Sequence, residues 1–157
     1  MNKSLIAIAA LMTTGVAFAQ ATDTLKKIKD SGTVTMGVRE SSGALSYTLG
    51  DGKYVGFHVD VCQRALADIQ KTLGLAKLEV KYQPVTSQNR IPLVQNGTVD
   101  IECGSTTNNA TRLKDVAFLP TTFVEEVRIA VKANSGITSI AQLNGKNVAT
   151  TTGTTSV

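Results

Sequence analysis

The sequence has few of the residues that support nucleic-acid binding or metal binding. It contains no tryptophan, 4% aromatic residues, a single histidine and two cysteines. Few aromatic side chains are available to stack on bases, and the basic residues are scattered apart from Lys26, Lys27 and Lys29. One histidine and two cysteines do not form a ligand set at zinc spacing. We therefore expect neither a nucleic-acid partner nor a metal site.

The sequence also lacks the motifs of common enzymes. It has no GxSxG nucleophile elbow and no GxxxxGK phosphate loop, and Gly50-Asp51-Gly52 lacks the rest of a dinucleotide fingerprint. Asp100 and Glu102 alternate in a predicted strand, where carboxylates commonly face solvent. His58 stands beside Asp60, which is more typical of a rim or cap contact than of a catalytic base. We predict no catalytic residue and no cofactor, and hence no enzyme.

The length and composition are those of one ordinary globular domain. The chain has 157 residues, of which 42% are hydrophobic and 18% charged, with three prolines and a net charge of +4. This composition argues against a disordered or fibrous chain.

The first nineteen residues have the pattern of a secretory signal peptide. Lys3 precedes an apolar run at residues 5–12, and the small-residue triplet Ala17-Phe18-Ala19 follows. We predict cleavage after Ala19 and a periplasmic protein. Export would place Cys62 and Cys103 where disulfides persist, but the residues alone leave their pairing open.

Hydrophobic periodicity predicts strands that alternate with helices. The predicted helices are at residues 24–31, 59–73, 91–95, 111–114 and 137–143, and the predicted strands at 33–38, 78–82, 98–103, 123–131 and 147–150. In the first helix, Leu25 and Ile28 share one face, and a hydroxyl cap is expected before the helix at 91–95. The alternation indicates an α/β sheet with parallel pairs.

Polar clusters follow the predicted strands, where ligands bind in open parallel sheets. Arg39, Arg90 and Arg112 come from different strand-end loops, and they are accompanied by Ser87, Ser105, Thr107, Thr154 and Thr155. Guanidinium groups bind carboxylates in a two-pronged way, so the set suits a ligand with two carboxylates and one ammonium. The alternative for each residue is ordinary, because single loop arginines are usually solvated and Ser or Thr at helix starts are usually caps.

Three stretches resemble the periplasmic glutamate/aspartate-binding proteins of bacterial ABC transporters, within solute-binding protein family 3. They are GVRESS at residues 37–42, TSQNRIPLVQNGTVDIECGSTTNNATR at 86–112 and TTGTTS at 151–156. The resemblance implies an α/β, periplasmic-binding-protein-like fold of two lobes that close on an amino acid and deliver it to an inner-membrane permease. It also implies a protein that acts as a monomer.

The resemblance further implies roles for the candidate site residues. Arg39, Ser87 and Arg90 would hold the side-chain carboxylate of L-glutamate or L-aspartate, and Arg112 with Thr107 the α-carboxylate. Ser105 would contact the ammonium, and Thr154 and Thr155 would add hydroxyls and amides from the second lobe. An exported dehydratase and an amino-acid sensor are the alternatives that share this fold.

By the same resemblance, the chain is the N-terminal portion of the family's length. After the signal peptide at residues 1–19, lobe I would occupy residues 20–125 and a crossing strand or hinge residues 126–132. Residues 133–157 would begin a truncated second lobe. We expect residues beyond about Val131 to be loosely held.

Overall fold

The structure is a computed structural model, and it describes residues 23–156. The predicted signal peptide at residues 1–19 lies outside the described residues. The elements in chain order are α1 (Thr24–Ser31), β1 (Thr33–Val38), β2 (Tyr47–Gly50), β3 (Lys53–Val55), α2 (Phe57–Thr72), β4 (Glu79–Pro84), α3 (Arg90–Gln95) and β5 (Ile101–Cys103). Short 3-10 helices lie at Gly43–Leu45, Arg112–Lys114 and Ile140–Leu143. Over the described range, no helix is long and apolar enough to cross a membrane.

The central sheet has three parallel strands in the order β4-β1-β5. The middle strand β1 has helices and neighbouring strands around it, and Val34, Met36 and Val38 are fully buried. These three side chains share one face of β1; on the other face Thr33 and Thr35 are half-buried and Gly37 is buried. The predicted α/β class with parallel pairs is confirmed for these strands.

The hydrophobic core joins α1 and α2 to β1. Val59, Cys62 and Leu66 recur at helical spacing on α2 and are buried against the strand, as predicted. In α1 the prediction holds only for Ile28, which is the buried residue of that helix. Leu25 is 51% exposed, because this eight-residue helix buries only a narrow line of its surface.

A disulfide joins Cys62 on α2 to Cys103 at the end of β5. Their Cα atoms are 6.3 Å apart, within the usual range for such a bridge. The pairing that the residues alone left open is thus present. It fastens the main helix to the strand whose end enters the candidate site.

The hairpin of β2 and β3 was missed by the sequence analysis. Its turn contains Asp51 and Gly52, which have φ values of 52° and 73°. Asp-Gly is a common pair for two-residue turns that need positive φ at both central positions. The Asp51-Gly52 pair, which lies within the Gly50-Asp51-Gly52 stretch compared above with a dinucleotide fingerprint, is therefore a sequence signal for this hairpin.

Two predicted strands are absent, and two predicted helical segments are 3-10 helices. Residues 123–131 and 147–150 form no strand, and the segments expected at 111–114 and 137–143 are 3-10 helices at Arg112–Lys114 and Ile140–Leu143. Val124 is 86% exposed and Val127 is 66% exposed. β-Branched residues favour an extended backbone, but a strand also needs a neighbour for its hydrogen bonds. None of the described strands pairs with either segment.

Candidate functional site

The carboxyl ends of β1, β4 and β5 lie at one edge of the sheet because the three strands are parallel. The register places Val38 beside Pro84 on one side and beside Cys103 on the other. The residues that follow each strand therefore meet at this edge. They are Arg39 after β1, residues 85–87 after β4 and residues 104–105 after β5.

Arg39 connects the loops at this edge through all three nitrogens of its guanidinium. Nη1 donates to the carbonyl oxygen of Val85 at 2.7 Å, and Nη2 donates to Ser87 Oγ at 3.1 Å. Nε donates to Ser42 Oγ at 3.1 Å, and the backbone N–H donates to buried Ser46 at 3.0 Å. These bonds hold Arg39 in one orientation.

Ser87 lies in the turn before α3, but it is not a helix cap. Asn89, the residue before α3, makes no side-chain cap hydrogen bond, and the predicted hydroxyl cap is Thr86, one turn earlier. Thr86 N donates to Asn89 Oδ1 at 2.7 Å, and Asn89 N donates to Thr86 Oγ1 at 3.2 Å. This reciprocal turn leaves the buried Ser87 hydroxyl to accept from Arg39.

Ser105 joins the site through a hydroxyl pair. Its Oγ lies 2.9 Å from Ser42 Oγ, which also accepts from Arg39. The preceding residue must be small, since a Cβ at Gly104 would lie 2.5 Å from Arg39 Cγ and 2.3 Å from Glu102 Oε1. A glycine at this position lets the arginine cross the end of β5.

Arg90, the first residue of α3, is a buried cation with unused hydrogen-bond donors. Its side chain is 3% exposed, and Nε and Nη1 have no hydrogen-bond partner among the described residues. Burial lowers the pKa of Arg90; nearby Glu102 opposes this shift, and Arg112 and Arg39 add to it. Unpaired buried charge is costly, so this guanidinium favours an incoming anion.

Glu102 on β5 is the carboxyl group of the site. Its Oε1 is buried and has no hydrogen-bond partner in the described part of the chain. Burial raises the pKa of Glu102, against the opposing effects of the Thr106 side chain, Arg90, Arg39 and His58. The expectation that this carboxylate faces solvent is wrong, because its Oε1 packs against Gly104 beside the Arg39 side chain.

Asp100 also differs from that expectation. Its side chain is 3% exposed and accepts from Lys27 Nζ at 2.8 Å and from Thr35 N at 2.8 Å. These bonds tie the start of β5 to α1 and β1. Asp100 is thus occupied structurally, and it does not form a catalytic pair with Glu102.

Arg112 links this edge to the loop at residues 151–156. Nη1 donates to the carbonyl oxygen of Thr107 at 3.0 Å and Nη2 to that of Gly153 at 3.1 Å. Thr107 Oγ1 lies 3.5 Å from Thr155 Oγ1. Gly153 has φ of 79°, and a Cβ there would lie 2.6 Å from the carbonyl oxygen of Ser87. The loop therefore lies directly against the strand ends.

Seven of the eight predicted site residues share this set of contacts or lie within electrostatic range of it. Thr154 is the exception, since its hydroxyl donates to Thr151 O within its own loop at 2.8 Å. Five of the eight line one of two cavities, whose volumes are about 450 and 910 Å³. Arg39 and Ser87 line the smaller cavity, and Arg90, Ser105 and Thr107 line the larger one.

His58 on α2 contacts the loop after β5 with one ring nitrogen and Thr122 with the other. Nδ1 contacts the carbonyl oxygen of Gly104, so this nitrogen carries the proton, and Nε2 lies 2.8 Å from Thr122 Oγ1. Both ring nitrogens therefore have partners. Within residues 23–156, no group of three or more potential ligands could hold a metal ion.

Sequence reasoning missed the contributions of Ser42, Gly104 and Glu102. Ser42 and Gly104 stand in the polar loops that follow β1 and β5, so a search of every strand-end residue would have included them. Glu102 carried no such signal, because its burial depends on tertiary packing around β5.

The chain matches a known family over most of its length. A sequence model described as bacterial extracellular solute-binding proteins, family 3, matches residues 34–153. The chain is 49% identical over 151 residues to the L-glutamate/L-aspartate-binding protein of Pseudomonas aeruginosa, covering 95% of this chain and 50% of that protein. It is 46% identical over 136 residues to the glutamate/aspartate import solute-binding protein of Salmonella typhimurium, covering 87% of this chain and 45% of that protein. The chain spans about half the length of these curated relatives.

Solved structures support the fold. The cysteine-binding protein of Campylobacter jejuni aligns with a TM-score of 0.58 at 23% identity, covering 76% of this chain and 47% of that one. The solute receptor for L-cysteine of Neisseria gonorrhoeae aligns with a TM-score of 0.52 at 24% identity, covering 60% and 37%. The predicted α/β, periplasmic-binding-protein-like fold is confirmed, with this chain spanning part of it.

Proposed function

The chain belongs to family 3 of the bacterial extracellular solute-binding proteins, and on that premise we propose that it captures acidic L-amino acids for an ABC importer. Relatives named for glutamate and aspartate binding, at 46–49% identity, support glutamate or aspartate as the ligand. The proposed location is the periplasm, after cleavage of the signal peptide, and the proposed partner is an inner-membrane permease. The protein would bind and release its ligand as a monomer, without turnover.

The buried guanidinium of Arg90 is the observation that carries this proposal. Its Nε and Nη1 have no hydrogen-bond partner among the described groups, and two further arginines lie within electrostatic range. Three cations at one edge exceed what a single carboxylate needs. A ligand with two carboxylates offers a second negative charge to neutralise them.

We assign the ligand groups by their position along this edge. Arg90 binds the side-chain carboxylate, with Arg39 and Ser87 beside it. Arg112 and Thr107 bind the α-carboxylate, and Ser105 accepts a hydrogen bond from the ammonium. Thr154 and Thr155 contribute from the loop at residues 151–156, which Arg112 already holds against the strand ends.

Calorimetric titration of the full-length protein with L-glutamate, L-aspartate and L-glutamine tests the proposal. Arg90→Ala should weaken L-glutamate binding about 10- to 100-fold, because each charged hydrogen bond contributes about 1.5–3 kcal/mol. The loss for L-glutamine should be much smaller, since its side chain has no negative charge.

Arg64→Ala is the matched control, because Arg64 is an exposed arginine on α2. It should leave all affinities unchanged. Equal losses for L-glutamate and L-glutamine in Arg90→Ala would reject the assignment of Arg90. Failure of the unmodified protein to bind either acidic amino acid would reject the function itself.

A further inference from the structure

Two ionisable groups of the site are buried without a full set of hydrogen bonds. Arg90 has two nitrogens without a hydrogen-bond partner, and Glu102 has one such oxygen, in the part of the chain that the structure describes. Both line the larger cavity. Each group therefore depends on the charges around it more than a solvated side chain does.

Glu102 is surrounded by cations and a histidine from three elements. Arg39 approaches from the end of β1, so closely that only a glycine fits at position 104 between them. Arg90 acts from α3 and His58 from α2, and the Thr106 side chain lies on the loop after β5. Burial has the largest effect on the pKa of Glu102 and raises it, and these titratable and charged neighbours oppose that effect.

We propose that Glu102 is the resident counter-charge of the arginine cluster and takes up a proton from the solvent when an anionic ligand occupies the site. This inference rests on the function proposed above. In the empty site the Glu102 carboxylate offsets part of the charge of Arg90 and Arg39. When a ligand carboxylate binds the same guanidinium groups, two negative charges share one buried cluster, and one of them becomes protonated.

The ligand carboxylate stays ionised because it bonds directly to the guanidinium donors. Glu102 has an oxygen without such a donor, so the proton binds there. Burial already raises the pKa of Glu102, and the ligand's negative charge would raise it further.

The expected pH dependence follows from this increase in the pKa of Glu102 on ligand binding. A group whose pKa is higher in the complex than in the empty site strengthens binding at low pH. Affinity for L-glutamate should be highest below the pKa of Glu102 in the empty site. It should then fall, by up to about tenfold per pH unit, until the pH exceeds the pKa in the complex.

Calorimetry in two buffers measures the proton directly. The full-length protein is titrated with L-glutamate at one pH in phosphate and in Tris, which have very different ionisation enthalpies. We expect the observed enthalpies to differ in the direction of net proton uptake, by up to one proton per ligand. Equal enthalpies in both buffers across pH 5–8 would overturn the inference, whereas the binding itself would still support the proposed function.

Three variants locate the proton. Glu102→Gln should keep binding but lose both the buffer difference and the fall of affinity with pH. Glu79→Gln, at the exposed start of β4, should retain both. Loss of uptake in His58→Gln together with normal uptake in Glu102→Gln would assign the proton to the histidine and overturn the inference. A complete absence of L-glutamate binding in the unmodified protein would overturn the proposed function as well.

Discussion

The arginines of this site have different tasks, and their hydrogen bonds distinguish them. Arg39 is engaged through all three nitrogens and joins the loops after β1 and β4. Arg112 is engaged with the carbonyls of Thr107 and Gly153. Arg90 is the one with buried donors that lack partners in the described chain. Arg39 and Arg112 therefore shape the site, and Arg90 is the group most in need of an anion.

This difference predicts that variants of Arg39 and Arg90 both lose binding but differ in their loss of stability. Arg39→Ala should lower the free energy of unfolding by about 2 kcal/mol, because it removes three partly buried hydrogen bonds. Arg90→Met should lower it less, since the substitution breaks none of the hydrogen bonds described here and removes a desolvated charge. Urea unfolding measures both, and calorimetry should show that both variants lose L-glutamate binding.

A larger stability loss in Arg90→Met than in Arg39→Ala would contradict this division of roles. Unfolding should be compared at pH 5 and pH 7, because removing Arg90 deprives Glu102 of a cation that favours its charged form. The cost of Arg90→Met should therefore be smaller at pH 5, where Glu102 more readily holds a proton.

At the scale of elements, Asp100 fastens α1 and β1 to the start of β5. Its carboxylate accepts from Lys27 Nζ on α1 and from Thr35 N on β1, and it is almost fully buried. Asp100→Ala should lower the free energy of unfolding by about 2 kcal/mol, since it leaves the partly buried Thr35 N–H without its acceptor and leaves Lys27 Nζ with the Gly97 carbonyl alone. Thermal or urea unfolding provides the measurement.

Asp30→Ala is the control for that variant. It removes the exposed i,i+4 pair of Lys26 and Asp30 on the same helix. Exposed pairs of this kind add little stability. If both variants had the same small effect, the buried contacts of Asp100 would not stabilise the fold.

The disulfide between α2 and β5 should be a major stabilising feature. The cysteines are separated by 41 residues in sequence, for which chain entropy gives about 4 kcal/mol of stabilisation. The double variant Cys62→Ala and Cys103→Ala should unfold at correspondingly lower urea concentration. A reducing agent should destabilise the unmodified protein and leave the double variant unaffected. Equal sensitivity to reduction in the two proteins would show that the disulfide is not the cause.

The elements that could be predicted from sequence are those whose hydrophobic pattern finds a partner nearby. The buried residues of β1 and α2 were identified, because Val34, Met36 and Val38 alternate and Val59, Cys62 and Leu66 recur at helical spacing. The strand at 123–131 could not be excluded, because pairing is a property of the neighbour and not of the segment. Within the site, strand-end positions were predictable, but burial of Glu102 depends on the whole sheet.

Across the described chain, packed secondary structure is concentrated around β1. The described core consists of residues from α1, β1, α2 and the end of β5. By contrast, large apolar side chains are exposed along the segment after the 3-10 helix at Arg112–Lys114, including Leu119, Phe123 and Val124. From residue 117 to 132, no backbone N–H donates to another described backbone group. The molecule thus combines a packed sheet with a long, weakly anchored segment.

Hydrogen exchange should show this contrast directly. Amides of β1 bond to neighbouring strands on both sides and should exchange only on global unfolding, whereas residues 117–132 and 147–150 should exchange fastest. Residues 151–156 should be intermediate in the empty protein, because Arg112 holds Gly153 and Thr107 contacts Thr155. If those residues contribute to the ligand site, L-glutamate should slow their exchange and leave residues 117–132 unchanged. Strong protection at 147–150 in the absence of ligand would show that this segment has partners beyond its own local turns, and would contradict the expectation that residues beyond about Val131 are loosely held.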